Sequence, residues 1–187
     1  TITRIHRQDG RFGLELAGNN GPHRYDVEVL VIATGTHPRS TSMLDGLASM
    51  SPRVIIGPVS DVIRDDIRGA RVLILGGGDN ALDHAVYLSR RGNQVTVCTR
   101  GSFSARPHFL TTCADIPAVS LHSHARIDRL DADAGGISAL LPSGNARFDW
   151  LLVMYGYQPS TEVLEAFEKD MLPAMTTNGY ILVDSWQ

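Results

Sequence analysis

The stretch Arg71-Val-Leu-Ile-Leu-Gly-Gly-Gly-Asp-Asn-Ala-Leu-Asp-His-Ala-Val-Tyr-Leu-Ser-Arg-Arg-Gly92 decides the fold. Val72 to Leu75 form a short apolar run, the pattern of a parallel strand covered on both faces. Gly76, Gly78 and Ala81 follow as G-x-G-x-x-A. The first glycine permits a tight turn and the second lets a pyrophosphate approach the backbone. The small third residue lets a helix pack closely on the strand. Ala81, Leu82, Ala85, Val86 and Leu88 make one apolar helical stripe, and Gly92 sits where a C-terminal cap belongs. The free N–H groups at the helix start would then face a phosphate. Gly76, Gly77, Gly78, Asp79, Asn80 and Ala81 are therefore candidate dinucleotide-binding residues. The bland alternative is a structural glycine turn.

Gln94-Val-Thr-Val-Cys-Thr-Arg100 supplies the second strand, and its end bears on which dinucleotide binds. An NAD site places an Asp or Glu there to accept hydrogen bonds from the ribose 2′-hydroxyl. This chain offers Cys98, Thr99 and Arg100, with no acid until Asp115. Arg106 follows, with Ser102 and Ser104 between. Arginine forks and hydroxyls suit a 2′-phosphate, so Arg100, Ser104 and Arg106 are candidate NADP contacts. The alternative is that both arginines belong to a solvated surface.

The chain has 187 residues and a formal net charge of −3, which implies no nucleic-acid-binding patch. No apolar stretch approaches a membrane span. Cys98 and Cys113 form no C-x-x-C, and two isolated thiols suit a reducing cytoplasm better than a disulfide scaffold. The chain opens inside a strand-like run and closes just after another, so it is expected to be part of a longer protein.

Residues 1–35 read as a β-meander with a turn at Asp9-Gly10 and another at Asn19 to Pro22, leading into a further apolar strand over Val27 to Ile32. Residues between Pro38 and Pro52 read as loop. Val54 to Ile56 is a strand candidate and Asp61 to Arg68 a helical turn or two. Phe109 to Asp115 is a helix candidate. Strand candidates follow at Val119 to Ile127, Gly136 to Leu141 and Ala146 to Tyr155. Thr161 to Phe167 reads as a short helix with Ser160 or Thr161 as cap, and Tyr180 to Asp184 as a last strand. His122 and His124 would share one strand face, but no third metal ligand is placed. Asp83 and His84 read as an ordinary polar helix face, and Cys98 as packing.

Four pieces together carry a family resemblance: Val-Leu-Val-Ile-Ala-Thr-Gly-Thr-His-Pro-Arg (29–39), Gly-Gly-Gly-Asp-Asn-Ala (76–81), Phe-Asp-Trp-Leu-Leu-Val-Met-Tyr-Gly-Tyr-Gln-Pro (148–159) and Asn-Gly-Tyr-Ile-Leu-Val-Asp (178–184). Their order and spacing resemble the pyridine nucleotide–disulfide oxidoreductases, in the branch of thioredoxin reductases and ferredoxin–NADP reductases. The resemblance implies an α/β fold with a Rossmann-like, three-layer NAD(P)-binding domain carrying a β-meander, flanked by partial FAD-domain segments. Residues 1–37 would end the first FAD-domain segment, 38–156 would be the nucleotide domain, and 157–187 would begin the second segment. The FAD-binding glycine motif would lie upstream of Thr1 and the closing Gly-Asp motif beyond Gln187, so this chain alone is expected to hold FAD poorly and to be inactive.

Thr34 and Gly35 match the family's Ala-Thr-Gly turn near the flavin. Tyr155, Gly156 and Tyr157 lie at a strand end where a cofactor approaches, although Gly156 also suits a chain crossing between domains. The whole protein would pass hydride from NADPH to FAD and on to an acceptor that the sequence does not identify, with no catalytic acid, base or nucleophile named. A protein electron acceptor and a homodimer are compatible with the resemblance. Two departures stand out. Ile56 to Ala70 lacks the thioredoxin reductases' C-x-x-C, and Gly101 replaces the second of the branch's paired arginines. The competing readings are a non-catalytic dinucleotide-binding sensor or subunit and a flavin-dependent monooxygenase, whose longer substrate-facing insertions are not visible here.

Overall fold

The computed structural model describes residues 1–19, 21–57 and 66–183. The chain divides into two compact units, Thr1–His37 with Gln158–Gln187, and Pro38–Tyr157.

In the first unit, β1 (Ile2–Gln8), β2 (Arg11–Gly18) and β3 (Gly21–Val27) form an antiparallel meander. Asp9 (φ 50°) and Gly10 (φ 80°) are both left-handed, which gives the turn a twist that matches a tight hairpin. Ile5 is the buried anchor of β1 and bridges to Phe167. The expected strand over Val27 to Ile32 does not form. The meander ends at Val27, and residues 29–35 join no ladder. Val29 and Val31 are 74% and 78% exposed. An apolar run becomes a strand only when a neighbour accepts its hydrogen bonds, and no described strand does so. The chain then enters β4 (Thr36–Pro38).

In the second unit, the loop expected between Pro38 and Pro52 contains a helix, α1 (Ser42–Met50). The Thr41 side chain caps it by accepting from the Leu44 N–H, while Leu44 and Leu47 bury one face. Next come β5 (Val54–Ile56), β6 (Arg71–Leu75), α2 (Asp79–Ser89), β7 (Gln94–Cys98), α3 (Pro107–Ala114) and β8 (Val119–His122). Asp61 to Asp65 of the expected helical turn lie outside the described residues. Asp66 to Arg68 are not helical, and Asp66 has φ 45°. The chain continues through β9 (Arg129–Asp133), β10 (Gly136–Leu141), β11 (Gly144–Phe148) and β12 (Trp150–Val153).

Five of these strands make one parallel sheet in the order β5-β12-β6-β7-β8. Its side chains alternate between two cores. Val72, Ile74, Val95, Val97 and Leu152 pack on the side of α2. Leu73, Leu75, Leu151 and Val153 pack with α1 and the antiparallel β9-β10-β11 meander. This two-sided burial is why β6 reads as an unbroken apolar run. The architecture is thus a three-layer α/β fold of helices, parallel sheet and meander.

Two expected strands are redivided. Val119 to Ile127 stops at His122, because His124 turns left-handed (φ 52°) and donates its N–H to the Gly101 carbonyl. His122 and His124 therefore share no strand face, and no metal-binding group of three or more His, Cys, Asp or Glu residues occurs among the described residues. Ala146 to Tyr155 breaks at Asp149, which exchanges hydrogen bonds with the Arg71 backbone through its own N–H and its carboxylate (both 2.7 Å). There the chain leaves the meander for the parallel sheet.

Asn93, fully buried, ties the end of α2 to the approach of β6. It accepts from the Ala70 N–H and donates to the Ile67 and Leu88 carbonyls.

After β13 (Tyr157–Pro159), which pairs with β4, the return segment differs from expectation twice. Glu162–Ala166 is a 3-10 turn, and no side chain caps it. Tyr180 to Val183 makes only an isolated bridge, Met175 to Ile181, and Asp184 lies outside the described residues. Among the described residues, no helix is long and apolar enough to cross a membrane.

Candidate functional site

The carboxyl ends of β6, β7 and β12 open onto a groove of about 1210 Å³. This is where ligands bind in open α/β sheets. Gly76 to Ala81, Arg100, Ser104, Arg106 and Gly156 all line it. Thr34 and Gly35 do not. They line a separate cavity of about 230 Å³ within the first unit, beside Pro159, Ser160 and Tyr180. There the Thr34 hydroxyl donates to the Ser160 carbonyl (2.6 Å), and the Ser160 N–H donates to the Gly35 carbonyl.

The three glycines have different tasks. Gly76 has φ 147°, and a Cβ there would run into the Met154 carbonyl, so the turn is pressed against the end of β12. A Cβ on Gly77 would lie 2.8 Å from the Thr99 hydroxyl. Gly78 is ordinary extended backbone (φ −92°, ψ 179°). Its Cβ position is open, with only the Ser104 hydroxyl at 3.8 Å. Gly78 is also the N-cap of α2, and no side chain caps that helix. The protein's own packing therefore leaves Gly78 bare, beside a helix start whose N–H groups point outward.

The loop after β7 closes over this turn. The Ser104 and Ala105 N–H groups both donate to the Gly77 carbonyl (2.8 and 3.0 Å). The Ser104 hydroxyl turns to the same carbonyl at 3.4 Å. Arg106 is already engaged, because its backbone N–H and its Nε donate to the two carboxylate oxygens of Asp79 (2.8 and 2.7 Å). These bonds hold the Asp79 carboxyl below its ordinary range, with the Arg106 backbone bond the largest cause. Arg100, in contrast, makes no ion pair among the described residues. Its guanidinium lies over the Tyr155 ring, 5.7 Å from the centroid. Burial pushes the Tyr155 phenol up, and Arg100 partly offsets this.

Sequence reasoning missed part of the lining. Arg39, Ser40, Thr41 and Met43 enter from the start of α1, and Arg126 and Ile127 from the segment after β8. Only the Thr41 cap was a readable signal for the first group. The second group arrives because the Ala125 N–H donates to the Thr99 carbonyl, a long-range bond. Asn80 contributes its carbonyl to the His84 ring Nδ1 (2.7 Å), a bond internal to the helix. Cys98 lines the groove wall, but burial pushes its thiol up to about 11, so it stays a neutral thiol near neutral pH. Both cysteines are free and buried.

The family model described as pyridine nucleotide-disulphide oxidoreductase matches residues 1–187. A thioredoxin reductase of Helicobacter pylori is 25% identical over 170 residues, 86% of this chain and 53% of the relative. A ferredoxin–NADP reductase of Anaplasma marginale is 39% identical over 83 residues, 44% of this chain and 25% of the relative. Among solved structures, the thioredoxin reductase of Lactococcus lactis in its FR conformation superposes with a TM-score of 0.75 at 19% identity. That match covers 99% of this chain and 60% of the other. The chain thus spans about half the length of the first of these relatives, and the structural likeness is one of fold.

Proposed function

The chain belongs to the pyridine nucleotide-disulphide oxidoreductase family, and on that premise we propose that Pro38–Tyr157 is the NADPH-binding unit of an FAD-dependent oxidoreductase. Residues 1–37 and 158–187 then contribute to its flavin domain, with Thr34 and Gly35 on the flavin side. The observation that carries this reading is the bare Gly78 at the uncapped start of α2. A pyrophosphate needs close backbone approach and unsatisfied N–H donors, and this turn supplies both.

When bound, the two cofactors supply the redox chemistry, hydride passing from the nicotinamide to the flavin. The protein's task is alignment. Gly76 fixes the turn and Gly78 admits the phosphates. The N–H groups of Asp79 and Asn80 face them at the helix start, and Gly156 leaves open space at the end of β12. Its two cysteines are 15 positions apart and both buried, so the onward step to the acceptor does not run through a C-x-x-C in this span.

Arg100 is the residue proposed to choose the nucleotide. It stands two residues beyond β7, where the ribose 2′-position falls in this fold class, with no acid beside it in sequence. Arg100→Ala is expected to weaken NADPH binding by about 1.5–3 kcal/mol, the scale of a charged hydrogen bond, and to leave NADH nearly unchanged. Calorimetric titration of both nucleotides checks this, and equal losses for the two would remove the assignment.

A further inference from the structure

We propose that Asp79 and Arg106 form a positioning clasp at the phosphate end of the groove. The arginine cancels the carboxylate at the start of α2 and holds the loop over residues 101–106 in place, so that either dinucleotide, with or without a 2′-phosphate, meets N–H donors rather than an acid. This rests on the dinucleotide reading of the groove.

Asp79 is the first residue of α2, directly after Gly78, and it lines the groove. A carboxylate there suits the helix dipole, but it competes with a phosphate for the same end of the helix. Arg106 answers that charge with two donors, one from its backbone and one from its fork. Its guanidinium is also steadied over the Phe109 ring, 5.4 Å from the centroid. The Ser104 and Ala105 N–H groups fasten the same loop to the Gly77 carbonyl. Five hydrogen bonds therefore run from this loop to Gly77 and Asp79, the residues on either side of Gly78.

Stability does not explain the pair. The side chains of Arg106 and Asp79 are 67% and 35% exposed, and exposed ion pairs contribute little to folding. What the pair changes is the charge that a ligand meets. An unscreened carboxylate one residue from the phosphate approach would weaken binding by a few-fold in water and far more in a drier site, so about tenfold here. The clasp also separates the two arginines after β7. Arg106 is committed to Asp79 and serves both nucleotides alike, whereas Arg100 remains available to tell them apart.

The test is titration of NADPH and NADH against the chain and its Arg106→Ala, Asp79→Asn and Asp79→Asn/Arg106→Ala variants. Arg106→Ala is expected to weaken both nucleotides by about tenfold. The double variant is expected to recover to within about threefold of the original chain, because the carboxylate that Arg106 cancelled is gone. A variant that had merely lost its fold would not be rescued by removing a charge. A loss confined to NADPH would make Arg106 a 2′-phosphate ligand and overturn the clasp. A double variant as weak as Arg106→Ala would overturn the charge argument. An original chain that binds neither nucleotide would overturn the dinucleotide reading itself, and the clasp with it.

Discussion

Gly78→Ala is expected to weaken NADPH and NADH binding alike by about 100-fold, or about 2.8 kcal/mol, while the fold survives. The added methyl meets nothing of the protein nearer than the Ser104 hydroxyl at 3.8 Å, and the backbone there is extended, so any residue adopts it. Glycine and alanine differ as N-caps by about 1 kcal/mol or less, which sets the expected stability cost. The methyl would instead occupy the space through which a pyrophosphate reaches the backbone. Calorimetric titration with a parallel thermal melt separates the two effects. Unchanged affinity would mean that nothing approaches the chain at Gly78.

Gly76→Ala is expected to act in the opposite way, through stability. Its φ of 147° is a conformation that residues with a Cβ rarely adopt, and the Cβ would press into the Met154 carbonyl at the end of β12. Backbone strain of about 1–3 kcal/mol and overpacking of about 1–3 kcal/mol add to roughly 2–6 kcal/mol. That is a large share of the roughly 5–15 kcal/mol that holds an ordinary domain together. Urea unfolding measures the loss, and a change under about 1 kcal/mol would contradict the packing of the turn against β12. Two glycines of one motif thus separate by assay, Gly76 supporting the sheet and Gly78 serving the ligand.

The run from Arg71 to Gly92 was legible because its information is local. A strand, a turn and a helix follow one another within 22 residues, and each has its own hydrophobic period. What failed was non-local or depended on a partner. Val29 to Ile32 carries the composition of a buried strand, yet Val29 and Val31 stand exposed because no described strand pairs with them. Composition reports a capacity for burial, and pairing realises it. Arg106 likewise finds its partner non-locally, in Asp79, 27 positions upstream inside the motif it was expected to assist. The helix α1 was missed because Pro38, Gly46 and Pro52 dominate its neighbourhood, although Thr41 followed by Leu44 and Leu47 already carried a cap and a buried face. His124 spoiled a strand by turning left-handed, a conformation that no neighbouring glycine announced.

The proposed flavin chemistry is tested most directly on the whole protein, purified from its cells and titrated anaerobically with NADPH while the visible absorbance is followed. The protein is expected to be yellow and to bleach as the flavin takes up hydride, with NADH less effective at equal concentration. A colourless protein that still binds NADPH would contradict the account and make the groove that of a dinucleotide sensor.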